Sequence, residues 1–168
     1  VFLKEYMFKN YSVDDGLSSW MGPDSAHKDF EIEDTWYEIK TVSQNSLTVK
    51  ISSIEQLDSN NQGMLVIIRL EPTNAKKSDY ITLNQYVKNI KENLSTKQSL
   101  LFERKLSYVN YNYEKEYDKY IYYVQKIEFY IVNDKFPRIS KKTVPSEIAR
   151  VSYEITIDSI RDFEKIGD

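Results

Sequence analysis

The residues best placed to do chemistry lie between positions 22 and 40, in the segment GPDSAHKDFEIEDTWYEIK. It contains six acids, Asp24, Asp29, Glu31, Glu33, Asp34 and Glu38, and ends on the triplet Glu38-Ile39-Lys40. On a β-strand, residues two apart share a face, so this triplet sets a carboxylate beside an ammonium. A second carboxylate close by would complete an oxygen-ligand site for a hard divalent cation, with the lysine placed to meet water or an anion. The question is which earlier acid supplies it, because the Pro23-Asp24 pair and Asp29 both stand upstream.

Strand pairing selects Asp29. Polar and apolar residues alternate over 27–33 and 35–42, the period of two half-buried strands. A turn at Glu33-Asp34 sets Asp29 opposite Glu38, Glu31 opposite Trp36 and His27 opposite Lys40. A four-residue loop over 32–35 keeps this register, and a three-residue loop shifts it by one and breaks it. His27, Asp29, Glu31, Trp36, Glu38 and Lys40 then share one face, while Phe30, Ile32, Tyr37 and Ile39 face the core. Directly opposed side chains have Cβ atoms about 4.5–5.5 Å apart, and like charges so placed repel. A cation between them turns that repulsion into affinity. Asp24 falls beyond the strand, behind Gly22-Pro23; Glu31 is one pleat away and stands in reserve.

Composition narrows the chemistry further. Cysteine is absent, which excludes disulfides, a catalytic thiolate and thiolate zinc sites and fits a reducing cytoplasm. With His27 as the single histidine, a metal here must bind oxygen, which points to Mg²⁺, Mn²⁺ or Ca²⁺. The net charge of −3 argues against a generally basic nucleic-acid binder, though not against a local positive groove. The 168 residues suffice for one domain with a real core, and no apolar run nears the roughly 18 residues that span a membrane. The chain opens at Val1 rather than Met, which leaves room for an N-terminal portion of the fold before it.

The elements that must position these residues follow from periodicity. Phe2, Leu3, Tyr6 and Met7 predict a helix over 1–9, broken by Asp14-Asp15-Gly16. A third strand covers 47–52, with a helical turn at 53–57. GMLVIIRL, residues 63–70, reads as a strand buried on both faces. Leu83, Tyr86, Val87, Ile90 and Leu94 predict a helix behind a Thr82/Gln85 capping box. A second helix covers 97–108, and YNYEKEYDKY at 111–120 fits no one element. Residues 121–132 form a strand with Ile121, Tyr123, Ile127, Phe129 and Ile131 on one face and Lys126 and Glu128 on the other. RVSYEITI, residues 150–157, is the last strand. The order is mixed α/β.

At this point Asp29, Glu38 and Lys40 resemble the D…(E/D)-x-K signature of the PD-(D/E)XK nuclease superfamily. The wider chain is similar to one bacterial family named only for that motif, through Trp20-Met21-Gly22-Pro23, Asp29-Phe30, Glu38-Ile39-Lys40-Thr41, Gln56-Leu57 and Phe136-Pro137-Arg138. The residue before Asp29 is Lys28, where the signature has proline. The resemblance implies a restriction-endonuclease-like mixed β-sheet flanked by helices, with a C-terminal α/β extension. It implies a single domain over 1–168, with a catalytic core over about 1–72 and an elaboration over 73–168. It implies a Mg²⁺-dependent DNA endonuclease, with Mn²⁺ as substitute. Asp29, Glu38 and the Ile39 carbonyl would hold the metal, Lys40 would orient water or neutralise charge, and Gln56 would sit near the scissile phosphate. Glu5 is the candidate for a glutamate that the first helix often adds. Such proteins sit in restriction or phage-defence clusters beside ATPases and methyltransferases, as partner subunits, and a homo-oligomer is compatible. The other reading is a catalytically inactive, nuclease-like subunit of a defence complex; DNA against RNA stays open. Trp20 and Trp36 read as core or loop anchors rather than base-stacking groups, the tyrosines of 111–123 as packing, and Lys76-Lys77 and Lys141-Lys142 as solvated charge.

Overall fold

The computed structural model describes residues 1–22, 27–73 and 81–165. A π-helical turn, Leu3–Met7, runs into α1 (Phe8–Asn10), and α2 is Val13–Ser19. The hairpin β1 (Phe30–Ile32) and β2 (Thr35–Ser43) follows, then β3 (Thr48–Ile51), a short helical turn Ile54–Gln56, and β4 (Gly63–Thr73). Next come α3 (Leu83–Lys91), α4 (Thr96–Tyr108), β5 (Ile121–Val132), β6 (Tyr153–Thr156) and a closing helical turn Ile157–Phe163.

The N-terminal helical segment buries Phe2, Leu3 and Met7, as its periodicity predicts. Asp14-Asp15-Gly16 does not break the chain there but lies within α2. The Ser12 hydroxyl caps that helix by accepting the Asp15 N–H at 3.1 Å, and both aspartates lie in the first turn, where the helix dipole favours negative charge.

The main sheet runs β1-β2-β4-β5, with β2 parallel to β4 and the other pairs antiparallel. The run GMLVIIRL becomes the inner strand β4, and Leu65, Val66 and Ile67 are completely buried. Alternation along β4 feeds two cores. Val66 and Ile68 face the helices, packing with Phe30, Tyr37, Leu17, Tyr86, Ile90 and Phe102. Leu65 and Ile67 face a second layer, the small sheet β3-β6 with the turns beside it, through Trp36, Val49, Ile51, Tyr130 and Ile155. The chain after residue 73 thus supplies a strand to each sheet.

Burial on both faces also changes the expectation for β5. Its even-numbered side is not solvent-facing: Tyr130 and Val132 enter the second core, and Glu128 is buried with them, paired to Arg69 Nε at 2.6 Å. Burial of a charge at that place requires a partner. The capping box of α3 is only half made. Thr82 Oγ1 accepts the Gln85 N–H, while the Gln85 side chain donates to Asn89. Of the tyrosines of 111–123, Tyr111 packs, stacking on Tyr117 and donating to Asn84 Oδ1 at 2.8 Å, whereas Tyr113 and Tyr120 are exposed rather than packed. Lys76-Lys77 lies outside the described residues. Among the described residues no helix is long and apolar enough to cross a membrane.

Gly63, at the start of β4, is set by close approach to the Trp36 indole. A Cβ there would lie 2.1 Å from Trp36 Cδ2 and Cε2. Gly63→Ala must therefore displace a buried ring or a strand end, and is expected to cost about 2–3 kcal/mol by overpacking, measured by urea denaturation.

Candidate active site

The two-residue turn at Glu33-Asp34 imposes the register read from sequence: Phe30 pairs with Tyr37, Glu31 with Trp36 and Ile32 with Thr35. Trp36 is buried and Tyr37 and Phe30 face the helices, so the separation of faces along β2 holds. The expected first strand is shortened. Residues 27–29 leave the ladder before Asp29 can face Glu38 across paired strands, and His27 is exposed rather than opposite Lys40.

The physical cause is a side chain replacing a ladder bond. In an antiparallel pair the N–H and C=O of one residue point to the same partner. The Ile39 N–H, which faces β1, donates to Asp29 Oδ2 at 2.8 Å. Asp29 is therefore held at the edge of β2, where the ladder stops, and the Ile39 carbonyl faces the same break. The loop before it fastens the acid from behind: the N–H groups of Met21 and Gly22 both donate to the Asp29 carbonyl, at 2.8 and 3.0 Å. Lys105 of α4 in turn donates to the Trp20 carbonyl. Gly22 lies so close that a Cβ on it would stand 3.0 Å from Asp29 Oδ1.

Glu38 and Lys40 project from β2 toward the second layer. Glu38 is 3% exposed, and its Oε1 lies 2.9 Å from Lys40 Nζ. Lys40 Nζ also donates to Gln56 Oε1 at 2.9 Å, and that oxygen accepts the Ser52 N–H at 2.7 Å. The structure thus brings Asp29, Glu38, Ile39, Lys40 and Gln56 together. Burial, then the Asp29 charge, pushes the Glu38 carboxyl up to about 7 against the pull of Lys40. Burial also raises Asp29, opposed by the Ile39 N–H and by Lys40. Two buried carboxylates that each resist ionisation are what a divalent cation would relieve. The donor set is anionic oxygen, which fits Mg²⁺. Asp29 commits Oδ2 to Ile39 and Glu38 commits Oε1 to Lys40, which leaves Oδ1 and Oε2 to face a cation.

Other candidates are placed elsewhere. Among the described residues no group of three or more histidines, aspartates or glutamates is arranged to hold a metal. Glu5 is not drawn in: its carboxylate is taken up by Lys9 at 3.0 Å and by the Tyr86 hydroxyl at 2.9 Å, against α3. Glu31 and His27 border a polar cleft with Lys28, Glu55, Asp58 and Lys141. Lys141 and Lys142 are exposed charge as expected, with Lys141 in a surface pair with Glu55 at 3.1 Å. Asp24 lies outside the described residues. Sequence reasoning missed the inward turn of Lys28, which is 6% exposed, has its Nζ 3.9 Å from the Trp36 ring centroid and bonds three carbonyls. Burial lowers its pKa to about 8, so it keeps its proton at neutral pH.

A mixed sheet flanked by helices, with the acid hairpin at its edge and Lys40 two residues past Glu38, defines a protein of the PD-(D/E)XK class with a restriction-endonuclease-like fold. The chain belongs to the family DUF4420, described as "Putative PD-(D/E)XK family member", which it matches over residues 1–158. No curated protein and no solved structure matches it.

Proposed function

We propose that this protein is a divalent-metal-dependent endonuclease that hydrolyses phosphodiester bonds of DNA. The observation that carries the reading is the buried Glu38 carboxylate, beside Asp29 and ion-paired to Lys40. Asp29, Glu38 and the Ile39 carbonyl would hold Mg²⁺ or Mn²⁺, which would supply Lewis-acid activation of water and neutralise charge on the phosphate. Lys40 donates toward the attacking water or the phosphate oxygens as negative charge develops. Gln56 fixes the direction of that ammonium by accepting from it. A cytoplasmic restriction or phage-defence system, with DNA as substrate and ATPase or methyltransferase subunits as partners, is the setting we assign.

The test is cleavage of plasmid DNA with Mg²⁺, with and without partner subunits. Lys40→Ala is expected to lower the rate by about 10²–10³-fold, the usual loss when a donor to developing charge is removed. Asp29→Ala is expected to lose at least as much. Wild-type cleavage by either variant refutes the assignment. A second reading, a nuclease-like subunit without catalysis, is favoured by one observation: Lys40 already has both Glu38 and Gln56 as partners. Calorimetric titration with Mg²⁺ separates the two, since the catalytic reading requires binding that Asp29→Ala removes.

A further inference from the structure

Between β3 and β4, the backbone carbonyls of residues 55–59 are all taken up by two cations from distant parts of the chain, the buried Lys28 and the half-buried Arg138. Lys28 Nζ donates to the carbonyls of Glu55, Gln56 and Asp58 at 2.6, 2.9 and 3.3 Å. Arg138 donates to those of Leu57 and Ser59, through Nη1 at 2.7 Å and Nη2 at 3.1 Å. The helical turn Ile54–Gln56 ends there, so no further helical turn follows to supply N–H donors. Leu57 is fully buried, and its carbonyl without a donor would cost free energy comparable to a lost hydrogen bond; its half-buried neighbours would lose less. The three hydrogens of an ammonium and two of the five of a guanidinium match the five acceptors.

We infer that Lys28 and Arg138 are positioning residues of the active site: together they lock the turn carrying Gln56 so that its side-chain oxygen holds the Lys40 ammonium. The inference rests on the reading of Lys40 and Gln56 given above. Three geometric facts support it. Gln56 belongs to the clamped segment, and its own carbonyl is one of the five. Its Oε1 accepts from both Lys40 and the Ser52 N–H, an arrangement that tolerates little movement of the backbone beneath it. Lys28 also precedes Asp29 directly, so the bend that takes Asp29 out of the ladder sends Lys28 inward across Trp36 to the turn. One break in β1 therefore supplies both a carboxylate to the site and the cation under its far wall. Arg138 closes the clamp from after β5 and is held beside Asp134 at 3.7 Å.

The Ser52 amide reports directly on Gln56, because Gln56 Oε1 is its acceptor. In metal-free protein without DNA, Lys28→Met or Arg138→Met should speed hydrogen exchange at Ser52 by about tenfold or more, while amides of Leu65 and Ile67 keep their protection. Arg138→Lys, which keeps the charge with fewer donors, should fall between and serves if a methionine variant does not fold. In DNA cleavage, Lys28→Met should lower kcat with little change in KM, and should add almost nothing to the loss from Gln56→Ala. Unchanged Ser52 exchange in folded variants overturns the inference, as does a full multiplicative loss when Lys28→Met is combined with Gln56→Ala. If wild-type protein cleaves no DNA, the nuclease reading fails while the exchange experiment still decides whether the clamp holds Gln56.

Discussion

Glu38→Gln should make the metal-free protein more stable at about pH 8 and at the same time remove its nuclease activity. Folding raises the Glu38 carboxyl from 4.5 to about 7, chiefly through burial. The folded state therefore holds a proton that the unfolded chain has already released. That contribution is fully present below 4.5, is lost as pH rises to about 7, and stays absent above. At about 1.4 kcal/mol per unit, the ionised form is disfavoured by roughly 3 kcal/mol. Glutamine has the shape of the protonated acid and can still accept from Lys40, so it escapes this cost. Thermal unfolding in chelator should show the variant gaining up to about 3 kcal/mol near pH 8 and almost nothing near pH 4. Cleavage should fall by at least about 10²-fold, because an anionic ligand is worth several kcal/mol to the charge balance of a metal site. A variant less stable than wild type at both pH values would mean that the Lys40 pair outweighs the burial of Glu38.

That opposition between stability and activity helps explain which parts of the site the sequence reveals. A two-residue turn fixes a hairpin register locally, so the pairing of Glu31 with Trp36 follows from counting residues. The burial of β4 is equally local, since an unbroken apolar run leaves no side for water. What alternation does not reveal is where a polar side chain turns when the ladder ends. Lys28 shows no partner in the sequence, because the carbonyls of Glu55, Gln56 and Asp58 arrive from 27–30 positions later. Glu128 reads as the polar face of a strand until Arg69 meets it across the sheet, 59 positions away. Asp14-Asp15-Gly16 looks like a turn, yet Ser12 just before it makes the same residues a helix start. Glu5 looks like a site acid by its place in the first helix, whereas its Lys9 partner, four positions on, is a signal legible in the sequence. The motif Phe136-Pro137-Arg138 is visible as a string of letters, but its task appears only when Arg138 meets Leu57 and Ser59.

Arg69→Met is expected to be the most destabilising single substitution on the polar side of the sheet, at about 3–5 kcal/mol in urea denaturation, because it leaves a buried carboxylate behind. Glu128 is 7% exposed, and its Oε2 lies 2.6 Å from Arg69 Nε. Among the described residues its other oxygen keeps Lys126, about half exposed, at 3.2 Å and the Tyr130 hydroxyl at 3.4 Å. Removing both charges tests whether the loss is the pair or the orphan. Arg69→Met with Glu128→Leu should recover most of the stability, since buried ion pairs replaced by apolar groups are often neutral. Recovery should not be complete. Arg69 Nη1 also donates to the carbonyls of Gln44 and Ser46, at 2.8 and 3.1 Å, in the turn that leaves β2 for β3. The register of β4 against β5 shifts between Arg69 and Leu70, so this side chain stands at an irregularity of the sheet. The residual deficit should therefore appear as faster amide exchange confined to residues 44–46. If the double variant is as unstable as Arg69→Met alone, holding that turn, and not neutralising Glu128, is the main work of the arginine.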